Sequence, residues 1–190
     1  VATILLAAFH APMATAFRLD CTYTAPDCPA VRYDLSPLMN SPDLQAPVAQ
    51  AGNEVEWLRV CQPTNEPCDQ STVPQQSRAG VQTWSSGSGP TCAVTGDLST
   101  ARWGLVREGD AKGGVKMAFT GGDGGRTMQV LFICDPTFAG STQVSAKEQP
   151  QGSDNYVITV RAAAACPTGD CPAVPWSTGW LIFTLTCVFI

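Results

Sequence analysis

Residues 120–136 read TGGDGGRTMQVLFICDP. Four glycines, Gly121, Gly122, Gly124 and Gly125, crowd a turn, and Arg126 follows at once. MQVLFIC (128–134) is then a short apolar run of strand character, closed by Cys134 and Asp135. A lone cation stands at the mouth of a strand, beside glycines that let another group come close. The stretch is therefore a structural element and a candidate site at once.

Working outward, the neighbouring segments have the same period. GVKMAFT (114–120) puts Val115, Met117 and Phe119 on one face and Lys116 and Ala118 on the other. VRYDLSPL (31–38), EVEWLRVC (54–61), AGVQTW (79–84), STQVSAK (141–147) and NYVITVRAAAAC (155–166) are further strand candidates. No stretch within 17–170 carries a helical stripe, and the alanine run 162–165 is too short to stand alone as a helix. Residues 85–97, SSGSGPTCAVTGD, read as a loop. Short strands split by Gly and Pro predict an all-β domain, a flattened β-barrel or sandwich of two packed antiparallel sheets.

Composition bounds the function. The chain has 190 residues, 44% hydrophobic, enough for one domain with a real core. Its net charge of −5 is the opposite of what a nucleic-acid binder needs. Residues 1–16, VATILLAAFHAPMATA, resemble the apolar core and cleavage site of a secretory signal, the alternative being a buried first element. Residues 179–190, GWLIFTLTCVFI, carry no charge and read as the start of a transmembrane helix, with Trp176 and Trp180 at the interface; the alternative is a buried strand. Residues 167–178 read as a linker. Together these features predict a single-pass type I membrane protein with its folded part, 17–166, outside the cytosol.

The cysteines agree with an oxidising compartment. Of nine, eight (Cys21, Cys28, Cys61, Cys68, Cys92, Cys134, Cys166, Cys171) fall in the non-cytosolic part, and Cys187 falls in the expected span. An even set suits a disulfide framework. A metal site is not expected, because the sole histidine, His10, lies in the expected signal. Enzyme chemistry is not expected either. No histidine base remains for a nucleophile, no carboxylate pair is singled out by spacing, and GGDGG precedes a strand and lacks the Gly-Lys-Ser/Thr of a phosphate loop. No cofactor is implied. A neutral polyol ligand needs a planar cation, a carboxylate, an amide and an aromatic wall. Gln82, Arg126, Glu148 and Tyr156 supply these types on or beside strand candidates. Spacing alone does not select these four.

YDLSPL (33–38), LRVC (58–61), AGVQ (79–82), GVKMAFTGGD (114–123), RTMQVLFICD (126–135), PTF (136–138) and NYVITVRAAAAC (155–166) resemble, in this order, the blocks of the mannose 6-phosphate receptor homology domain. The resemblance implies a flattened β-barrel lectin whose Gln, Arg, Glu and Tyr read mannose. These fall on Gln82, Arg126, Glu148 and Tyr156. It also implies disulfides Cys134–Cys166 and Cys21–Cys61, and leaves the pairing of Cys28, Cys68, Cys92 and Cys171 open. Family members usually carry a further disulfide from the loop before the arginine strand to the residue before the tyrosine. Here those places are Gly124-Gly125 and Asn155. The short glycine turn also lacks the side chains that hold phosphate, which tilts the expected ligand towards unphosphorylated mannose-type N-glycans. The implied role is a receptor that sorts glycoproteins through the Golgi, endosomes and lysosomes or the endoplasmic reticulum. The alternative is a membrane trafficking or autophagy component that uses the fold as a scaffold and binds no sugar.

Overall fold

The computed structural model describes residues 19–49, 52–87 and 89–171. The expected leader at 1–16 with His10, and the expected membrane segment at 179–190 with Cys187, lie outside these residues. Among the described residues no helix is long and apolar enough to cross a membrane.

A hairpin of β1 (Thr22–Ala25) and β2 (Cys28–Asp34) opens the domain. The other strands are β3 (Leu44–Ala49), β4 (Val55–Leu58), β5 (Arg78–Ser86), β6 (Gly89–Asp97), β7 (Arg102–Leu105), β8 (Val115–Phe119), β9 (Thr127–Cys134), β10 (Gln143–Glu148) and β11 (Asn155–Ala162). They form one sheet in the order β6-β5-β4-β3-β10-β11-β9-β8-β7. All seven predicted stretches carry strands. The expected two sheets are the two halves of this curled sheet. They are joined where β3 and β10 pair in parallel, through Ala146 with Val48 and Lys147 with Ala49. The last strand, β11, runs parallel to the arginine strand β9 over its whole length.

Several segments depart from the sequence reading or escaped it, and β1, β3 and β7 lie outside every predicted stretch. Residues 89–97 are a strand and not a loop. β6 reads poorly because its apolar residues are few and are covered locally: Val94 packs with Val81, Cys68 and Val73 in a small second core. β3 contains Pro47, which a central strand excludes. It is tolerated because β10 joins β3 only at Val48 and Ala49, beyond the proline. The alanine run forms a single 3-10 turn, Ala163–Ala165.

The main core lies inside the curl. Tyr33, Leu58, Met117, Met128, Phe132 and Ile158 are all but completely buried there. Each fully buried side chain of this size contributes roughly 1.5–3 kcal/mol. Four disulfides hold the periphery: Cys21–Cys61, Cys28–Cys171, Cys68–Cys92 and Cys134–Cys166. Two are the pairs implied by the family resemblance, and the other two settle the open connectivity. Thr168 bridges Arg32 and Cys171 is bonded to Cys28, so the chain after Cys166 is stapled to the first hairpin.

The halves approach closely at Gly80. A Cβ there would lie 2.7 Å from Met128 Sδ on β9 and 2.7 Å from Thr95 Oγ1 on β6. Gly80→Ala is therefore expected to cost about 1–3 kcal/mol through overpacking. Gly87→Ala, at a position with nothing within 4 Å, is the matched control and should be close to neutral. Denaturant midpoints of the two variants give the comparison. Equal midpoints would show that the inner faces do not press together at this point.

Candidate functional site

The glycine turn is built to dock on β6. A Cβ at Gly122 would lie 2.6 Å from the Val94 carbonyl oxygen, so only glycine lets the turn lie against that strand. Gly124 takes a left-handed φ of 66°, which other residues adopt at a cost. Asp123 then fastens the turn. Its Oδ2 accepts the Val94 N–H at 2.8 Å, and its Oδ1 accepts the Ser71 hydroxyl at 2.9 Å. The glycines that suggested ligand approach thus serve strand docking in the first place.

That docking aims Arg126 into the curl. Its Nη1 donates to the Asp123 carbonyl at 3.0 Å, and its Nη2 pairs with Asp154 Oδ1 at 3.0 Å. Its Nε is buried without a partner. Across the curl on β5, Gln82 is 2% exposed and donates from Nε2 to Glu54 Oε2 at 2.5 Å. Tyr156 on β11 is 4% exposed. Burial pushes its phenol pKa up, while hydrogen bonds from Gln82 and Arg126 pull it down. Glu148 stands beside Tyr156 in the β10–β11 register. Its Oε1 accepts the Asp154 N–H at 2.7 Å and its Oε2 accepts the Gly152 N–H at 2.8 Å, so it folds the loop before β11 around itself. The structure brings all four predicted residues together, from β5, the mouth of β9, the end of β10 and the start of β11.

Sequence reasoning missed the acids that complete this cluster. Glu56 pairs in register with Gln82 and is fully buried. Thr95 donates its hydroxyl to Glu56 Oε1, while Oε2 has no partner. Burial pushes the Glu56 pKa up to about 8, against the pull of the Thr95 hydrogen bond and the Arg126 charge. Glu54 is also raised, first by burial and then by the Glu148 charge; its bond from Gln82 and the Arg126 charge oppose this. A signal was present. Glu56 shares a period-2 face with Leu58 and Val60, both 2% exposed, so an inward carboxyl was legible in EVEWLRV.

The arrangement is a nearly closed polar cluster that can donate and accept hydrogen bonds. A separate groove of about 500 Å³, lined by Thr127, Gln129, Leu131, Lys147 and Asn155, includes Tyr156 but none of Gln82, Arg126 and Glu148. Among the described residues no group of three or more His, Cys, Asp or Glu side chains could hold a metal ion.

The raised Glu56 pKa has a definite sign. The folded protein keeps this proton up to about pH 8, whereas an unfolded glutamate loses it near 4.5. The stability it contributes is present below pH 4.5 and is lost as pH rises towards 8. Wild-type unfolding free energy should fall, on the order of a few kcal/mol, between those limits. Glu56→Gln, which mimics the protonated acid, should flatten that dependence. Urea unfolding at pH 5 and pH 8 measures both, and parallel slopes in the two proteins would show that Glu56 is not the titrating group.

No family model and no curated protein matches the sequence. Solved structures do match. Domain 11 of the echidna mannose 6-phosphate/IGF2R receptor aligns with a TM-score of 0.53 at 13% identity, covering 77% of this chain and 94% of that one. Chicken IGF2R domain 11 aligns with a TM-score of 0.56 at 20% identity, covering 81% and 96%. These domains have the mannose 6-phosphate receptor homology fold, and this chain shares that fold.

Proposed function

We propose that the protein is a lectin-like receptor that binds mannose-type N-glycans and sorts the glycoproteins that carry them. One observation carries this reading: Gln82 and Arg126 hydrogen-bond the Tyr156 phenol, and Glu148, its register neighbour, acts on it electrostatically, so four residues from separate strands or their ends converge. An amide, a planar cation, a carboxylate and a phenol at one point are what a polyol needs, because each sugar hydroxyl both donates and accepts. The fold shared with domain 11 of the mannose 6-phosphate/IGF2R receptor agrees with a binding role and not a catalytic one. Membrane anchoring through residues 179–190, and a place in the Golgi, endosomes, lysosomes or endoplasmic reticulum, belong to the same proposal and rest on the sequence.

A second reading has its own observation. Gln82 and Tyr156 are almost wholly buried, and both Glu148 oxygens are taken by backbone N–H groups. A domain that keeps the quartet only to fasten its loops, and acts as an interaction scaffold, would look like this.

Titration with a mannose-terminated oligosaccharide separates the two. The lectin reading expects saturable binding. Arg126→Ala is a poor probe, because Arg126 is the counter-charge to several acids and its loss would destabilise the domain. Arg126→Lys keeps the charge but loses the planar fork. It should weaken sugar binding about tenfold or more, roughly 1.4 kcal/mol, at a temperature below the variant's own unfolding midpoint. A folded wild-type protein that binds no mannose oligosaccharide would favour the scaffold.

A further inference from the structure

We infer that Glu54 makes this site select neutral sugars and reject phosphorylated ones; the inference rests on the glycan-binding reading above and names its ligand class. Sequence reasoning placed the discrimination in the glycine turn, for want of side chains that hold phosphate. The one charged side chain of that turn, Asp123, does not face the site. Both of its carboxylate oxygens are engaged away from the site, one on the Val94 N–H and one on the Ser71 hydroxyl.

Glu54 is better placed. It is partly buried just before β4, and its Oε2 takes the Gln82 Nε2–H at 2.5 Å. A carboxylate only accepts, so the amide nitrogen of Gln82 must face it. A phosphate also only accepts and would compete for that same donor. Arg126 offers little in compensation. Its Nη1 gives one N–H to the Asp123 carbonyl, its Nη2 pairs with Asp154, the guanidinium also hydrogen-bonds the Tyr156 phenol, and its Nε–H is buried without a partner. Glu54 is also within electrostatic reach of the Glu148 and Asp154 carboxyl groups, as it is of Arg126. A dianion would enter a space already rich in negative charge. A neutral hydroxyl meets no such barrier: it accepts from the Arg126 Nε–H and donates to a carboxylate oxygen. Glu54 is thus a specificity-determining residue that acts through its charge and through the orientation of Gln82.

The experiment compares wild type with Glu54→Gln, which keeps the shape and an acceptor for Gln82 but removes the charge. Glu54→Met removes both and serves as the second variant. Each protein is titrated with mannose, with mannose 6-phosphate and with inorganic phosphate, and the Arg126 Nε–H resonance is followed by NMR. Wild type should prefer mannose to mannose 6-phosphate by at least tenfold. Both variants should reduce that ratio by at least tenfold, and inorganic phosphate should shift the Arg126 resonance in the variants but not in wild type. An unchanged ratio in the variants, or a phosphate-induced shift in wild type, would overturn the inference. If no protein binds either sugar, the glycan reading fails on its own. The inorganic-phosphate arm then decides the role of Glu54: a shift confined to the variants upholds exclusion by charge, and no shift in any protein refutes it.

Discussion

The hydrogen bond from the Val94 N–H to the Asp123 carboxylate is the contact on which the site depends. Val94 sits on β6, at one end of the nine-stranded sheet, and Asp123 precedes β9, near the other end. The backbone joins these ends through the Asp97 N–H and the Thr120 carbonyl at 2.8 Å. The carboxylate supplies a charge-assisted bond across the curl, a stronger link than a neutral one. Gly122 permits the approach, because any side chain there would strike the Val94 carbonyl. With the turn fixed on β6, Arg126 faces Gln82 from the opposite half of the sheet.

Closure creates an electrostatic problem that the cluster then resolves. Glu54 and Glu56 enter from β4 and its approach, Glu148 from β10, and Asp154 from the loop before β11. Arg126 is the cation that acts on Glu54 and Glu56 and pairs with Asp154. One guanidinium cannot neutralise four carboxylates. Glu56, fully buried, takes the other route open to such a group and holds its proton. Glu148 spreads its charge over two backbone N–H groups. Charge near Arg126 is therefore set by a balance between pairing, protonation and backbone donors.

The sequence was most legible where a single element determines its own form. GVKMAFT and RTMQVLFIC alternate or run apolar because their faces meet the main core, and both are strands at the expected places. It was least legible where a distant segment decides. β6 is a strand because residues around Cys68 and Val73 cover its Val94, a fact that SSGSGPTCAVTGD cannot announce. The four candidate site residues were chosen by family resemblance and not by spacing, and they do converge. Their acidic neighbours were overlooked for a physical reason. A glutamate in a strand is ordinarily solvated, and only the shared face with Leu58 and Val60 marks Glu56 as buried. The role of Asp123 was invisible because its partners lie 29 residues and 52 residues away in the chain.

The missing family disulfide fits the same logic. At the place where it would join the arginine turn to the residue before Tyr156, the chain has glycines and Asn155. The structure puts a set of non-covalent bonds there. Thr127 donates its hydroxyl to Asn155 Oδ1 at 2.6 Å and its N–H to the Asp154 carbonyl at 3.2 Å, and Arg126 pairs with the Asp154 carboxylate. Glu148 holds the same loop from below through the Asp154 and Gly152 N–H groups. A disulfide would tie two backbones whatever the protonation of their neighbours. Here the tie runs through Arg126 and Glu148 themselves, so the groups that would read a ligand also hold the loop that frames it. Any ligand that drew Arg126 away from Asp154 would have to replace that ion pair, and a neutral hydroxyl that only needs the free Nε–H leaves it intact.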